Sequence, residues 1–188
     1  MEGAKKYEDY AYVLDYLPRG RVSSERGPFK TEPTIQLIGE TYFTLLEAAV
    51  QVDSSFELHE VVYVGKEKPR DKITHVIGRV HYDDLTSTAK SELPSVLEII
   101  AASHEERFVR FFNIAQAITP RMHALELLPG IGKKYMWKIL EEREKKPFES
   151  FEDLQKRTGI PDPLKKVVNR IQEELSGKSK YSIFTRQS

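Results

Sequence analysis

The spacing of apolar residues changes once along this chain, at Asp83 and Asp84, and this change restricts the fold more than any other feature. Before it, short runs have a period of two, as in Tyr10 to Leu17. After it, apolar residues recur at helical intervals, as in Phe108 to Ala115. Side chains alternate across a strand and return to one face of a helix about every 3.6 residues. The sequence therefore predicts an α+β fold with two domains, a β-barrel followed by an all-α domain.

Five short segments before the change are predicted strands. They are Tyr10 to Leu17, Thr34 to Ile38, Tyr42 to Val50, Leu58 to Val64 and Lys72 to Tyr82. Five such strands within about 75 residues are typical of a small Greek-key barrel of the OB type. Gly39 follows the second strand and is a candidate bulge or barrel corner. The third segment also suits a helix, because Leu45 to Ala49 contains good helix formers.

Proline and cap residues predict where the helices begin. Pro94 is expected near the start of a helix, where the amide that proline lacks is not needed. Ser103 and Glu106 have the spacing of a capping box, and Thr119 with Pro120 predicts a further helix start. The predicted organisation is an OB-like (S1-like) barrel at 1–84, a helical connector at 85–118, an all-α domain at 119–175 and a short polar, mobile tail at 176–188.

Composition excludes several classes of protein. The chain has no cysteine, which excludes disulfides, iron–sulfur clusters and thiolate zinc sites and fits a reducing cytoplasm. No apolar run approaches the ~20 residues that a membrane span requires, so no membrane partner is expected. The polar segment Met1 to Lys6 does not resemble a signal peptide. A cytoplasmic location is expected.

Charge is unevenly distributed along a chain with no net charge. Residues 1–84 contain 11 basic and 15 acidic residues, 85–118 contain 3 and 4, and 119–188 contain 15 and 10. The basic excess therefore lies in the last segment. A local excess of this kind attracts polyphosphate even when the whole protein is neutral.

A tight turn lies in this basic segment. It is formed by Pro129, Gly130, Ile131 and Gly132, and a helix beginning with Lys133 and Lys134 follows. The two glycines can adopt positive φ and allow another backbone to approach closely, while Ile131 is expected to point into the core. A short helix with Met122, Leu125 and Leu128 on one face is expected before the turn. The unpaired amides at the start of the second helix predict an anion site, to which the lysines add charge. Since phosphate contacts carry no base information, binding there should be largely independent of nucleotide sequence.

A second, weaker hairpin follows. Ser150 caps a predicted helix, residues 158–163 form a turn, and the next helix runs from Leu164 to Leu175. Lys165 and Lys166 would then mirror the two lysines of the first hairpin. The second glycine of the turn is missing, however, so a purely structural role is an equally good interpretation.

The long segment from Pro18 to Pro33 is a predicted loop with a basic excess. Loops of this length in compact domains are usually functional or disordered. Its basic residues are candidate nucleic-acid contacts and are expected to become protected when ligand binds: Arg19, Arg21, Arg26 and Lys30.

Two resemblances extend these predictions. The segment from Leu125 to Leu140 resembles the helix-hairpin-helix motif of proteins that process DNA and RNA, with its apolar residue followed by Pro-Gly-Ile-Gly and Lys. Met136 is a departure, because the family often has a small residue there. The whole chain resembles an uncharacterised archaeal family of small proteins that join an OB-like or S1-like barrel to a C-terminal helix-hairpin-helix domain. The matching stretches are 42–47, 82–86, 106–109 and 127–142. This resemblance implies RNA binding and supplies no catalytic residues.

The sequence offers weaker signals for a metal site and for a base-stacking surface. His75 and His81 share a face of one predicted strand, but no compact metal-ligand motif surrounds them, so no metal is expected. Tyr10, Tyr12 and Tyr16 suit either base stacking or a barrel core. No phosphate-binding P-loop or nucleophile motif is present, and no cofactor is expected.

The leading hypothesis is a non-enzymatic protein that binds the backbone of nucleic acid, with RNA favoured. One alternative keeps this architecture with branched or double-stranded DNA of repair or recombination as the target. Another is a protein-interaction module in which the hairpin is only structural. Protein partners are not identified by the sequence.

Overall fold

The computed structural model describes residues 7–20 and 32–185, and it has the predicted order of strands followed by helices. The main sheet consists of β1 (Tyr10–Leu17), β2 (Thr34–Gly39), β3 (Leu45–Val50), β4 (Val61–Tyr63) and β5 (Ile73–Arg79). The helices are α1 (Ser87–Ser103), α2 (Glu105–Ile114), α3 (Lys133–Lys145), α4 (Phe151–Thr158) and α5 (Pro163–Leu175). Two short strands, β6 (Ala117–Thr119) and β7 (Met122–His123), lie between α2 and α3. The α+β class is confirmed.

The sheet is a five-stranded antiparallel half-barrel with the strand order β4-β1-β2-β3-β5. The third predicted segment is a strand and not a helix. Register irregularities lie between Val13 and Asp15 in β1 and at two places in the pairing of β3 with β5, where Thr74 and Ile77 of β5 are the extra residues. The bulge expected at Gly39 is absent, because Gly39 pairs in regular register with Ala11.

Glycine is required at position 39 for a different reason: the buried carboxylate of Glu8 lies against it. Glu8 is 5% exposed, and its carboxylate accepts hydrogen bonds from the amides of Thr41, Tyr42 and Thr44 at 2.9–3.1 Å. A Cβ at Gly39 would lie 2.0 Å from the Glu8 carboxyl carbon. The glycine therefore makes room for the acid that orders the turn between β2 and β3.

The strands β2 and β3 are buried along their whole length. One face supplies a continuous core from all five strands and the residue after β4: Ala11, Val13, Ile35, Leu37, Leu46, Ala48, Val50, Val62, Val64 and Ile73. The polar residue Gln36 is fully buried in β2, and its hydrogen bonds are satisfied. Its side-chain amide donates to Glu47 and to the carbonyl of Asp84, and its oxygen accepts from the amide of Thr86. These bonds attach the start of α1 to the sheet.

Two predicted helix starts are wrong. Thr86, whose hydroxyl accepts from the amide of Ala89 at 3.0 Å, caps α1, so Pro94 lies inside the helix. The capping box at Ser103 does not form. Ser103 is the last residue of α1, and His104 precedes α2 without a side-chain cap.

The helix expected at Thr119 and Pro120 is also wrong. Thr119 ends β6, its hydroxyl accepts from the amide of Arg121 at 3.3 Å, and β7 pairs back on β6. Proline with a preceding threonine therefore forms a tight turn here. The apolar stripe expected from Phe108 to Ala115 is present in part, because Phe108 and Phe112 are buried with Val109, whereas Ile114 is 56% exposed.

The chain divides into two compact units. Among the described residues, the first contains 7–20, 32–96 and 175–185, and the second contains 97–174. None of the helices in the described ranges is long and apolar enough to cross a membrane.

Candidate nucleic-acid interface

The predicted hairpin turn is present in the second unit, directly before α3. Leu128 and Ile131 are 1% and 3% exposed, and the amide of Ile131 donates to the carbonyl of Leu128 at 3.0 Å. Gly130 between them has a φ of +80°, which residues with a Cβ adopt only with strain. Ile131 therefore anchors the turn in the core, as expected, and Gly130 supplies its left-handed backbone.

The segment before the turn is shorter than predicted. A 3₁₀ helix, Ala124–Leu127, stands where an α-helix was expected, and Met122 lies in β7. The ring of His123 accepts from the amide of Leu125 at 3.1 Å, and the Glu126 carboxylate accepts from the amide of His123 at 2.9 Å. The segment ends because Leu128 precedes a proline, which disfavours helical backbone; its φ and ψ are −75° and 126°.

Gly132 is the N-cap residue of α3, and its backbone is extended. Its φ of −91° and ψ of −171° are extended, so the positive φ considered for both glycines occurs only at Gly130. No atom of the described residues lies within 4 Å of the position that a Cβ would take at Gly132. The fold therefore does not itself require glycine at this position.

The first-turn amides of α3 have no side-chain acceptor in the described part of the chain. A glycine cap cannot accept from them, and α3 has no acidic residue in its first turn. The helix runs for 13 residues, so its N-terminal end has the partial positive charge of a full-length dipole. An anion can reach these amides without displacing a protein carboxylate.

The two lysines at this end of α3 have different environments. The Lys133 Nζ lies 2.9 Å from Glu126 and donates to the carbonyl of Arg121 at 3.2 Å. The pKa of Glu126 is lowered, first by the hydrogen bond from the His123 amide and then by Lys133. Lys134 is exposed, and its side chain contacts no acceptor among the described residues. Lys134 is therefore the cation available to a ligand.

The second hairpin forms but has a different N-terminus. Ser150 caps α4 by accepting from the amide of Asp153 at 3.0 Å, and Gly159 ends α4 with a φ of 74°. Asp162 then caps α5, because its carboxylate accepts from the amide of Lys165 at 3.1 Å. This helix end already has an anion of its own, unlike the start of α3.

Lys166 lies at the first hairpin rather than the second. Its Nζ donates to the carbonyl of Pro129 at 3.3 Å and would lie 2.6 Å from a Cβ at Gly130. One turn later, the buried Arg170 donates from Nη1 to the carbonyl of Leu127 at 3.1 Å and from Nε to Glu174 at 2.9 Å. Arg170, which the sequence analysis did not single out, thus positions the hairpin turn from α5.

Trp137 is a second residue that the sequence analysis missed. It is the one tryptophan of the chain, and it is 65% exposed. It lies in α3, three residues after Lys134, so it shares a helix face with that lysine. The buried residues of α3 are Met136 and Ile139, and their spacing already indicates that Trp137 faces outward. A large exposed aromatic side chain beside an open helix N-terminus is a candidate ligand contact.

The other predicted contacts lie in the first unit or outside the described residues. Arg19 is exposed after β1, and Arg21, Arg26 and Lys30 fall outside the described ranges. Of the three tyrosines in β1, Tyr10 is 39% exposed. Tyr12 is 6% exposed, and burial together with Glu40 raises the pKa of its hydroxyl. The Tyr16 ring packs on Phe56, with 5.5 Å between ring centres.

In the described part of the chain, no three His, Asp or Glu side chains are grouped so as to hold a metal ion. His75 lies in β5, but His81 follows the end of that strand. The two histidines therefore do not share the strand face that the sequence suggested.

Comparison with known proteins gives a consistent result. Residues 7–186 match the model of a family described as "Protein of unknown function (DUF655)". The uncharacterised protein MJ0038 of Methanocaldococcus jannaschii is 49% identical over 184 residues, which cover 97% of this chain and 82% of that protein. The crystal structure of Af1531 from Archaeoglobus fulgidus, described as family-model DUF655, superimposes with a TM-score of 0.85 at 48% identity and covers 95% of this chain and 100% of that one. The expected resemblance to an uncharacterised family with archaeal members is confirmed.

Proposed function

The chain belongs to the DUF655 family, whose function is unknown, and we propose that it is a non-enzymatic nucleic-acid-binding protein whose first hairpin holds the phosphate backbone. The observation that carries the proposal is the open start of α3. Its amides have no side-chain acceptor among the described residues, and its cap residue Gly132 leaves space where a Cβ would stand. Backbone amides at a helix N-terminus are a common phosphate-binding arrangement.

Charge around the turn supports an anionic ligand. Lys134 has no partner in the described ranges, and Lys166 approaches the turn from α5. Lys133 is partly neutralised by Glu126, so it contributes less than its position in the sequence suggests. RNA is the favoured ligand because of the resemblance described above. A competition between structured RNA and branched DNA of equal length would distinguish RNA from the DNA alternative.

The fluorescence of Trp137 provides the binding assay that tests this proposal. Because it is the one tryptophan of the chain and lies one turn into α3, its fluorescence reports on the hairpin. We expect titration with structured RNA to quench this emission. Lys134→Ala should weaken binding by a similar factor for unrelated sequences and reduce the slope of log affinity against log salt by about one unit.

A matched control is Lys156→Ala in the same unit. Lys156 is an exposed lysine paired with Glu152 at 2.6 Å, so its removal changes the net charge equally. We expect this variant to bind like the wild type. If the folded Lys134→Ala variant retained both its affinity and its salt slope, the hairpin would not be the phosphate site.

Trp137 also favours a second candidate function, docking of a protein partner, because exposed aromatic residues are enriched at protein interfaces. The salt experiment separates the two candidates. Phosphate contacts make affinity fall steeply with salt. A partner bound chiefly through Trp137 would instead be lost in Trp137→Ala and changed little by salt.

A further inference from the structure

A second charged surface lies in the first unit, in the loop after β4. This basic loop, Gly65 to Arg70, contains the cations Lys66, Lys68 and Arg70 and the acid Glu67. In the described part of the chain, no carboxylate oxygen lies within 4 Å of the charged nitrogens of these three cations. By contrast Lys72, two residues beyond the loop, pairs with Glu60 at 2.6 Å. The cations of the basic loop are therefore available to an anion from outside.

Two of these cations, Lys66 and Lys68, lie near aromatic rings rather than carboxylates. The Lys66 Nζ lies 4.0 Å from the centre of the Tyr7 ring. The Lys68 Nζ lies 5.8 Å from the ring centre of Tyr10 and 5.4 Å from that of Tyr63, and these two rings meet edge to face at 5.5 Å. Tyr7 and Tyr10 are 52% and 39% exposed. Exposed rings beside unpaired cations can bind flat bases and phosphates together.

The loop is held in place by its own hydrogen bonds. The Tyr63 hydroxyl accepts from the amides of Glu67 and Lys68 at 3.0 and 3.1 Å. Arg70 donates from Nε to the carbonyl of Gly65 at 3.0 Å. The terminal Nη atoms of Arg70 have no partner among the described residues. A preordered loop of this kind loses little conformational entropy when it binds.

The loop borders an open surface depression of about 530 Å³. It is lined by Gly65, Lys66, Lys68, Pro69, Arg70, Ile73 and Thr74. The lining therefore combines the three cations of the basic loop with the buried strand residue Ile73. The pKa of Lys68 is raised, first by its hydrogen bond to Tyr10, so this lysine stays charged at neutral pH.

We propose that the basic loop binds a single-stranded segment of nucleic acid, with phosphates on the loop cations and an unpaired base on the exposed ring of Tyr10. A single strand fits better than a duplex, because a base must be unpaired and unstacked to place its face on a protein ring. This site lies in the first unit and does not depend on the hairpin.

The test uses the full chain and a labelled single-stranded oligouridylate, in a Lys134→Ala background that weakens the hairpin. Tyr10→Ala should lose about 5- to 150-fold in affinity, the range that ~1–3 kcal/mol per stacked base implies. Tyr10→Phe keeps the ring and should bind like the parent. Lys66→Ala should reduce the salt slope by about 0.7, whereas Lys90→Ala, an equal charge change in α1, should leave it unchanged.

Three outcomes would overturn the proposal. The first is unchanged binding by a folded Tyr10→Ala variant. The second is equal competition by a duplex of the same length, and the third is equal competition by polyglutamate, which would indicate a site for acidic protein segments. Trp137 fluorescence tests the hairpin proposal separately, so one of the two proposed sites can be disproved while the other stands.

Discussion

The two glycines of the hairpin turn serve different purposes: Gly130 is needed for folding, and Gly132 is expected to matter for ligand binding. Substitutions at the two positions therefore separate effects on stability from effects on affinity. Gly130→Ala should lower the free energy of unfolding by about 1–2 kcal/mol, because its φ is +80° and a Cβ would meet the Lys166 Nζ. Gly132→Ala should lower it by less, about 0.5–1 kcal/mol, since its backbone is extended and its surroundings are open, so only the preference of an N-cap for glycine over alanine is lost. Gly132→Val should fold and yet bind RNA more weakly, because the side chain blocks the approach to the amides. Denaturant unfolding and Trp137 fluorescence measure the two effects. A Gly132→Val variant with full affinity would mean that no ligand approaches this residue closely.

Glu8 supports a second prediction at the level of one residue. Glu8→Gln should destabilise the protein by about 1–3 kcal/mol, because a glutamine oxygen cannot replace two carboxylate oxygens that accept three amides. Denaturant unfolding tests this. Glu57→Gln, at an exposed position in the same unit, is the matched control and should change stability by less than about 0.5 kcal/mol. Equal effects of the two substitutions would contradict the role assigned to Glu8.

At the scale of elements, the starts of α3 and α5 should differ in binding although both follow a tight turn. Lys166→Ala should weaken RNA binding, because this lysine lies at the first hairpin beside Pro129. Lys165→Ala should have a smaller effect, because the carboxylate of Asp162 already occupies the start of α5. Both substitutions remove one charge, so each is the control for the other. The reverse order of effects, measured by Trp137 quenching, would move the phosphate site to the second hairpin.

The end of α3 gives a prediction about pH. Hydrogen bonds from Lys145 and then Lys138 lower the pKa of Glu142 from 4.5 to about 2. Since the folded pKa lies below the unfolded one, the contribution of Glu142 is complete above about pH 4.5 and is lost as pH falls towards about 2. The free energy of unfolding of the wild type should therefore exceed that of Glu142→Gln near neutral pH, and the difference should shrink over this interval. A difference that stays constant with pH would show that the ionised carboxylate is not responsible.

Elements were predictable where their signals are local. The strands follow from alternation and turn residues, and the turn at Gly130 follows from its own sequence. The start of α1 has a local signal that was missed, the cap formed by the Thr86 hydroxyl, whereas the bond from Thr86 to Asp15, which is 71 residues away in the chain, was not predictable. The positioning role of Arg170 depends in the same way on its bond to Leu127, 43 residues away. Trp137 could have been found, since its place outside the buried spacing of α3 is visible in the sequence.

At the scale of the whole molecule, neutrality and nucleic-acid binding are compatible because the charges are arranged locally. The chain has 29 basic and 29 acidic residues, and many of the cations in the second unit pair with carboxylates on their own helix or beside it. Lys134 and the three cations of the basic loop are unpaired within the described ranges. Net charge therefore says little about ligand binding here, whereas cations without a carboxylate partner at the hairpin turn and in the basic loop identify the surfaces to test.

This arrangement predicts different salt responses for the Tm of the free protein and the Tm of its complex with RNA. A saturating RNA ligand at 100 times its Kd should stabilise the fold by about 2.7 kcal/mol. With two to three phosphate contacts, affinity should fall by about 12- to 42-fold when salt rises fourfold, so half or more of the gain in Tm should disappear. The Tm of the free protein should change little, because a chain with no net charge has little overall self-repulsion for salt to screen. Thermal unfolding at two salt concentrations, with and without RNA, makes the comparison. If the gain in Tm from RNA persisted at high salt, the contacts would be mainly apolar, and the exposed Trp137 would be the first residue to examine.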